Sequence, residues 1–174
     1  MHIRKATLED AEGIAKVHVS SWQKTYKDIA PQDFLDRLSV EERTALWQKN
    51  ISNPNNEVFV AVTPEQQIIG FVDGLTRDSN KDIGSSDLTS IYLLKEYQGL
   101  GIGKQLLKAI MESFQSRGFK RVYVDVLADN PARNFYIYYG ADHVKTLKLN
   151  FAGNIVDEEV YVWNDIDAVL KKLQ

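Results

Sequence analysis

The segment Gln98-Gly99-Leu100-Gly101-Ile102-Gly103 lies between an apolar, strand-like run and an amphipathic helix. Its three alternate glycines allow the backbone to approach a ligand closely and to adopt dihedral angles that a side chain would forbid. The following helix directs its free N–H groups and the positive end of its dipole towards the loop. The stretch therefore predicts a strand–loop–helix unit that grips a pyrophosphate with its backbone.

Two better-known phosphate-binding loops do not fit this spacing. A Walker loop requires Gly five positions before its Gly-Lys pair and Ser or Thr after it, but here Gln98 and Gln105 occupy those positions. A dinucleotide fingerprint that begins at Gly99 requires a third glycine where Lys104 stands. Such a fingerprint also follows the first strand of its domain, whereas this loop comes late in the chain. Neither alternative is favoured.

The loop instead resembles the acetyl-coenzyme A loop of the GNAT superfamily of N-acetyltransferases. That pattern is Gln or Arg, two residues, Gly, one residue, then Gly or Ala, and Gln98, Gly101 and Gly103 fill it. The stretch NPARNFYIYYG at 130–140 is similar to the family's second signature, an Asn followed by a short helix with a Phe-Tyr pair and a closing Gly. The resemblance covers the element order of nearly the whole chain and is tightest over residues 87–140.

Hydrophobic periodicity and turn residues predict the other elements. We expect strands at 2–5, 57–63, 68–77, 88–94, 121–127, 142–149 and 159–163, helices at 7–19, 31–38, 40–51 and 101–117, and a short helix after Asn130. Residues 20–29 are interpreted as helical or irregular, and 78–86 as a loop. Grouped strands followed by alternating strands and helices indicate a mixed sheet with helices on both faces.

Taken with the resemblance, this order predicts a single α/β (α+β) domain over residues 1–174. The expected architecture is a largely antiparallel central sheet of about seven strands, the acyl-CoA N-acyltransferase fold of the GNAT superfamily. The composition, with 44% hydrophobic and 26% charged residues, is ordinary for a globular protein.

Composition and charge exclude several classes of function. The chain has no cysteine, which excludes disulfides, thiolate metal sites and a cysteine nucleophile. Its three histidines, His2, His18 and His143, are scattered and show no metal-ligand spacing, so we expect no metal. A net charge of −3 argues against a general nucleic-acid binder, which usually carries a basic patch.

The N-terminus passes directly into strand-like residues, and no apolar run approaches membrane-spanning length. We therefore expect a cytoplasmic enzyme without a membrane partner. A final strand at 159–163 with a free edge would allow pairing across a homodimer.

The resemblance implies direct transfer of an acetyl group from acetyl-coenzyme A, as acyl donor, to a primary amine. The acceptor class is a small amine, a peptide or a protein lysine or N-terminus, and no covalent enzyme intermediate forms. An amine with a pKa near 10 needs a base, whereas a thiol with a pKa of about 8.5 leaves readily as thiolate. The alternative is a catalytically inactive acyl-CoA-binding sensor or regulatory module.

Tyr136 of the Phe-Tyr pair is the candidate acid that protonates the departing thiolate; the alternative is core packing, as is common for a crowded aromatic helix. Ile137 and Tyr138, after the Phe-Tyr pair, and Ala141, after the closing glycine, depart from the family pattern. The local packing is therefore expected to differ from that of the family. Asp87, before the glycine loop, is the candidate base or a solvated loop residue. Asp125 is a second candidate, unless it faces the open side of the sheet.

Cofactor contacts are assigned by position relative to the two motifs. The loop residues Gln98, Gly99, Leu100, Gly101, Ile102, Gly103 and Lys104 are expected at the phosphates, with Gln98 contributing mainly its backbone N–H. The strand Ile91-Tyr92-Leu93 is expected to pair with the pantetheine arm as an added strand would. The family opens its sheet there by splaying two adjacent strands. Asn130 is expected to bond the same arm, to cap its helix, or both.

Acceptor recognition is expected from residues 17–38, the part of the chain with least motif character. Trp22 and Tyr26 are four residues apart and share a helical face, on which they either line an amine pocket or pack against the sheet. The identity of the acceptor and the acyl-chain length leave no pattern in the sequence.

Overall fold

The computed structural model describes residues 1–77 and 81–174. Its strands are β1 (His2–Lys5), β2 (Asn56–Val62), β3 (Ile68–Leu75), β4 (Ser85–Leu93), β5 (Arg121–Leu127), β6 (Asp142–Phe151) and β7 (Asn154–Trp163). Its α-helices are α1 (Ala11–Thr25), α2 (Gln32–Asp36), α3 (Val40–Ser52), α4 (Ile102–Ser116), α5 (Ala132–Tyr138) and α6 (Ile166–Lys172). Short 3₁₀ turns at Leu8–Asp10 and Lys95–Tyr97 precede α1 and the glycine loop.

The strands form a seven-stranded sheet in the order β1-β2-β3-β4-β5-β7-β6. Among the described residues only β4 and β5 pair in parallel, and every other neighbouring pair is antiparallel. Helix α4 supplies the crossover between the two parallel strands, as a parallel connection requires. The predicted mixed, largely antiparallel sheet is confirmed.

Each face of the sheet packs against helices. The apolar face of α4, which includes Leu106, Ile110 and Phe114, is fully buried against one face of the sheet, with α6 beside it. This helix lies so close to β3 that a side-chain carbon at Gly74 would meet the Phe114 ring at 2.3 Å. Helices α1 and α3 cover the opposite face around Trp47. Within the two described stretches, no helix combines the length and the apolar character needed to cross a bilayer.

Several boundaries differ from the predicted ones. Helix α1 continues to Thr25, so most of the segment predicted as helical or irregular is helix. Strand β7 begins at Asn154 instead of residue 159, and α6, which Asp165 caps, was not predicted. The predicted loop at 78–86 lies partly outside the described residues, at 78–80, and its last two residues belong to β4. Polar residues concealed that start, because Ser85 and Ser86 are buried in spite of their polarity.

The predicted free edge of the last strand is wrong. Strand β7 lies between β5 and β6 and is hydrogen-bonded on both sides, so β6 forms the edge of the sheet. Lys145 and Lys148 lie exposed on β6, and lysines on an edge strand oppose pairing with another sheet. Homodimer formation stays a prediction, but the free edge of β7 on which it was based is not observed.

The pairing of β4 with β5 stops halfway along the strands. The parallel register runs from Ser85 opposite Arg121 to Leu88 opposite Val124. Beyond that point β4 continues to Leu93 and β5 to Leu127 without pairing to each other. Thr89 is an extra residue on β4, since Asp73 of β3 faces Ser90 while Gly74 faces Leu88. Such a bulge bends its strand, and the two strands splay apart.

An ion-pair network closes the narrow end of this splay. Arg77, just after β3, donates from Nη2 to Asp87 Oδ1 of β4 and from Nη1 to Asp125 Oδ2 of β5, both at 2.8 Å. Its backbone N–H also donates to Asp87 Oδ2 at 3.2 Å. The Asp87 side chain is only 2% exposed. Arg77 therefore ties three strands together at the point where two of them separate.

Asp87→Asn is expected to lower the free energy of unfolding by about 1–3 kcal/mol, because it leaves the Arg77 guanidinium with a weaker buried partner. Urea denaturation followed by tryptophan fluorescence measures this change. The matched control is Asp157→Asn, which removes a carboxylate from the exposed pair with Lys148 and should cost less than about 1 kcal/mol. Equal stability of Asp87→Asn and the unmodified protein would show that the Arg77 network does not hold the strands.

Candidate active site

A cleft of about 860 Å³ occupies the splay. It is lined by the C-terminal half of α1, the unpaired half of β4, the glycine loop, the end of β5, helix α5 and parts of β6 and β7. Most of the predicted site residues line it: Trp22, Tyr26, Ile91, Tyr92, Leu93, Gln98, Gly99, Gly101, Gly103, Lys104, Asn130 and Tyr136. The cleft thus joins both sequence motifs and the segment predicted to bind the acceptor.

Three predicted residues do not line the cleft. The Leu100 side chain is 59% exposed, and Ile102 is 3% exposed because it packs in the core under α4. These two loop residues contribute backbone to the loop and no side chain to the cleft. Asp87 lies in the paired half of β4, bound to Arg77. This placement argues against its predicted role as a base, and burial also excludes the solvated loop residue that was the alternative.

The glycine loop presents a row of unbonded backbone N–H groups. Before the row, Gln98 N–H donates to Lys95 O at 3.2 Å, and after it Gln105 N–H makes the first helical bond, to Gly101 O. The six N–H groups between them, from Gly99 to Lys104, have no acceptor among the described residues. Gly99 and Gly101 both have φ of +77°, a left-handed conformation that favours glycine. Consecutive N–H groups at a helix N-terminus form an anion-binding cradle.

Side chains fix this cradle from outside. Gln98 Nε2 donates to Leu93 O at 3.0 Å, which fastens the loop to the end of β4. The side chain of Gln98 thus has a structural role, while its backbone N–H, which was expected at the phosphates, is already bonded. Lys104 Nζ donates to Gln174 O at 2.7 Å. A methyl group at Gly103 would lie 3.6 Å from the Phe135 ring, an ordinary contact, so alanine fits at this position too.

Tyr136 lies on α5 with 5% of its surface exposed, and it lines the cleft. Its ring packs edge-on against Trp163 at 5.6 Å between centroids. Burial raises the pKa of the Tyr136 phenol well above its usual value, and the neighbouring Tyr26 raises it further. The phenol therefore keeps its proton throughout the physiological pH range. Tyr136 takes part in core packing and also faces the cleft, so the two predicted roles coexist.

A hydrogen-bonded chain crosses the cleft near Tyr136. Tyr26 Oη and Tyr92 Oη lie 3.0 Å apart, and Asn130 Nδ2 donates to Tyr26 Oη at 3.4 Å. The Oδ1 atom of Asn130 accepts from Ala132 N–H at 2.9 Å, as expected for a residue that caps α5. Asn130 thus links the start of α5 to α1. Its predicted bond to the pantetheine arm stays a prediction.

Trp22 and Tyr26 form an aromatic wall together with Phe151 of β6. Their ring centroids are 5.0 Å apart, and those of Trp22 and Phe151 are 5.7 Å apart. Both residues line the cleft and also pack in this aromatic cluster. The Arg43 guanidinium lies 5.6 Å from the Trp22 ring centroid, so a cation already occupies one side of this ring.

Glu158 is a cleft residue that the sequence did not single out. It lies on β7 opposite Leu127, diagonal to Asp125, and both carboxylates line the cleft. Burial raises the pKa of Glu158, and the charge of Asp125 raises it further, against a lowering by Arg77. The alternation of Val156, Glu158 and Val160 would have put the Glu158 side chain on the inward face of a strand. The predicted strand, however, started at residue 159 and so excluded Glu158 by one residue.

Comparison with known proteins agrees with this geometry. The model of the acetyltransferase (GNAT) family matches residues 19–140. An N-acetyltransferase of Bacillus subtilis (strain 168), YuaI, described as uncharacterized, is 35% identical over 167 residues, which are 96% of this chain and 95% of that protein. A spermidine N(1)-acetyltransferase of Thermoplasma acidophilum is 27% identical over 143 residues, or 80% of this chain and 85% of that protein.

A solved structure shares the fold. The PaiA N-acetyltransferase of Thermoplasma acidophilum, in complex with coenzyme A, matches with a TM-score of 0.66 and 22% identity, covering 91% of this chain and 96% of that one. The resemblance first indicated by Gln98, Gly101 and Gly103 is thereby confirmed. The chain belongs to the GNAT family of acetyltransferases.

Proposed function

We propose that this protein transfers an acetyl group from acetyl-coenzyme A directly to a primary amine that carries a second positive charge. The observation that carries the proposal is the row of six unbonded N–H groups at the open end of the β4–β5 splay. The donor's pyrophosphate fits this row, because backbone N–H groups and the α4 dipole both favour an anion there. The relative solved with coenzyme A supports the choice of donor.

The splay offers the donor's pantetheine arm a place beside β4. From Thr89 to Leu93 the edge of β4 that faces β5 has no strand partner among the described residues. Backbone groups along a strand edge seek hydrogen bonds, and an extended amide-bearing arm satisfies them as an added strand would. The thioester then lies deep in the cleft near Tyr136.

The chemistry follows from groups in the cleft. The neutral amine attacks the thioester carbonyl, the C–S bond breaks, and the thiolate leaves with the electron pair. Tyr136, which burial keeps protonated, donates a proton to the departing sulfur. No acyl-enzyme forms on cysteine, because the chain has none.

The position of Glu158 in the cleft favours a cationic acceptor. Its lysines, Lys24, Lys95 and Lys104, come from α1, from the turn before the glycine loop and from α4, whereas its carboxylates, Asp125 and Glu158, come from β5 and β7. Arg77 neutralises Asp125 but forms no ion pair with Glu158. A di- or polyamine presents one amine for reaction and a second ammonium group for Glu158. The relative that acts on spermidine supports this acceptor class.

Calorimetry with acetyl-coenzyme A, followed by a free-thiol assay on the same sample, tests the proposal. The amine panel consists of spermidine, a simple diamine, a monoamine and peptides with a free N-terminal alanine or a lysine. Amine-dependent thiol release, strongest with the di- and polyamines, is expected. Binding without release with every amine would favour the inactive sensor, and absence of binding would remove the cradle assignment.

Gly101→Val is expected to weaken acetyl-coenzyme A binding at least 100-fold. A side chain at Gly101 points into open space, so it does not clash with the protein, but its φ of +77° disfavours valine and turns the N–H row away from the anion. Gly84→Val is the matched control, since Gly84 has φ of +82°, an equally open surrounding and no place in the cleft. Calorimetry should show normal affinity for this control. Retained affinity in Gly101→Val would contradict the cradle.

Tyr136→Phe is expected to lower kcat about 100-fold, the scale of a lost general acid, with little change in acetyl-coenzyme A affinity. Steady-state thiol release measures both parameters. The control is Tyr138→Phe, which removes a phenol from the same helix at a position that is 77% exposed. An unchanged rate in Tyr136→Phe would leave this side chain only its packing against Trp163.

Glu158→Gln is expected to raise the KM for spermidine about tenfold, because a hydrogen bond to a charged group is lost, while the KM for a monoamine stays the same. Glu159→Gln is the control on the same strand, since Glu159 pairs with Arg133 and does not line the cleft. Equal effects of Glu158→Gln on both amines would show that Glu158 does not recognise a second ammonium group.

A further inference from the structure

Asp73 is a buried carboxylate that neither the sequence motifs nor the proposed reaction uses. It lies on β3 with 3% of its surface exposed. Among the described residues, no lysine, arginine or histidine forms an ion pair with it. Burial raises the pKa of Asp73 to about 7, against the lowering effect of its hydrogen bonds to Ser90 and Asn56. An unpaired buried carboxylate is costly, so a function for it is worth seeking.

The hydrogen-bond partner of Asp73 connects it to the cleft. Ser90 faces Asp73 across the β3–β4 ladder, next to the bulge at Thr89. Its Oγ donates to Asp73 Oδ1. Ser90 also lines the cleft, as Tyr136 does. One hydroxyl group therefore stands between the buried carboxylate and the cleft.

Asn56 is a second polar group that bonds to the Asp73 carboxylate. Asn56 lies on β2 opposite Leu75, two residues along from the Val58–Asp73 pair and on the same side of the sheet. Asn56 Nδ2 donates to Asn50 O at 3.3 Å, which fixes the orientation of the amide. Asn56 Oδ1 is buried and has no hydrogen-bond partner. Asn56 therefore bonds to the Asp73 carboxylate from β2, while Ser90 connects the carboxylate to the cleft.

Ionisable groups on the surrounding elements are engaged elsewhere. On α1, burial lowers the pKa of His18 to about 4, with a further lowering by Arg43, and its Nδ1 accepts from Trp47 Nε1 at 3.1 Å. On β2, Glu57 pairs with Lys5 and Arg117. On β4, Asp87 is bound to Arg77. Asp73 is thus a carboxylate near the unpaired half of β4 that forms no ion pair with any described cation.

We propose that Ser90 and Asp73 form a proton relay that deprotonates the acceptor amine, an inference that rests on the proposed acetyl transfer. The ammonium group gives a proton to Ser90 Oγ as the proton of that hydroxyl passes to Asp73. The free amine then forms its C–N bond and the C–S bond breaks. The second N–H proton ends on the coenzyme A thiol by way of Tyr136. Asp73 returns its proton through Ser90 to solvent, which balances the net release of one proton.

The relay supplies what Asp87 does not. A general base works best when its pKa lies near the working pH, because it is then largely ionised and still basic enough to take a proton. Asp87 is bound to Arg77 in the paired half of β4 and does not line the cleft. Asp73 acts only through Ser90, so it is a positioning residue of the relay, and Ser90 is the group that meets the amine.

The test compares kcat of the full chain, Asp73→Asn, Ser90→Ala and Ser86→Ala from pH 6.5 to 9.5, with saturating acetyl-coenzyme A and spermidine. Both relay variants should be about 100-fold slower at pH 6.5, the scale of a lost general base. The difference should shrink to less than about fivefold at pH 9.5, where solvent removes the amine proton. Ser86→Ala removes a buried hydroxyl from the paired half of β4 and should follow the unmodified profile. Calorimetry should show equal acetyl-coenzyme A affinity throughout.

A constant ratio to the unmodified enzyme at every pH would show a structural role and overturn the relay. If Asp73→Asn does not fold, Ser90→Ala alone tests the relay, because it keeps the Asp73 carboxylate and removes the hydroxyl that connects it to the cleft. A pH profile of kcat for Ser90→Ala equal to that of the unmodified enzyme would refute the proposal. No thiol release by the unmodified protein with any amine would remove the proposed function and the relay together. Turnover by the unmodified protein with parallel profiles would remove only the relay.

Discussion

The early end of the β4–β5 ladder is the constraint on which the site depends. Four register pairs, from Ser85 to Leu88 on β4, join the two parallel strands before they separate. The bulge at Thr89 bends β4, and Arg77 fixes the closed end through Asp87 and Asp125. Beyond that point a sheet would normally satisfy its backbone groups with a neighbouring strand. Here the unpaired edge opens onto a cleft.

Donor and acceptor ends of the cleft are built by different means. The donor end consists of backbone: consecutive N–H groups of one loop, held in place by Gln98 and by the first turn of α4. The acceptor end consists of side chains from separate elements, among them Trp22 of α1, Phe151 of β6 and Glu158 of β7. A backbone cradle requires a local pattern of glycines, whereas a wall of side chains requires only that distant elements meet.

The difference between local patterns and contacts of distant elements also determines how much of the fold and of the site the sequence could predict. Strand β5 was predicted with its observed ends and α4 to within one residue at each end, because periodicity is local. Two short motifs predicted the glycine loop and Tyr136 as site residues, and both line the same cleft. The ion pair of Asp87 was not predicted, because its partner, Arg77, follows β3 and lies ten residues away in the chain. The edge position of β6 depends on strand order, which no local pattern records.

The carboxylates on the acceptor side of the sheet differ in function because they differ in partners. Asp87 and Asp125 share one guanidinium group and serve to hold strands together. Glu158 faces the cleft beside that network and is free to meet an ammonium group of the substrate. Among the described residues, Asp73 takes hydrogen bonds from Ser90 and Asn56 and forms no ion pair, and burial brings its pKa into the range where protons are exchanged. A carboxylate paired with a cation stabilises the fold, whereas one paired with a hydroxyl at the edge of a cleft can carry a proton. The chemistry of the partner, more than position in the sequence, decides which of these two roles a carboxylate has.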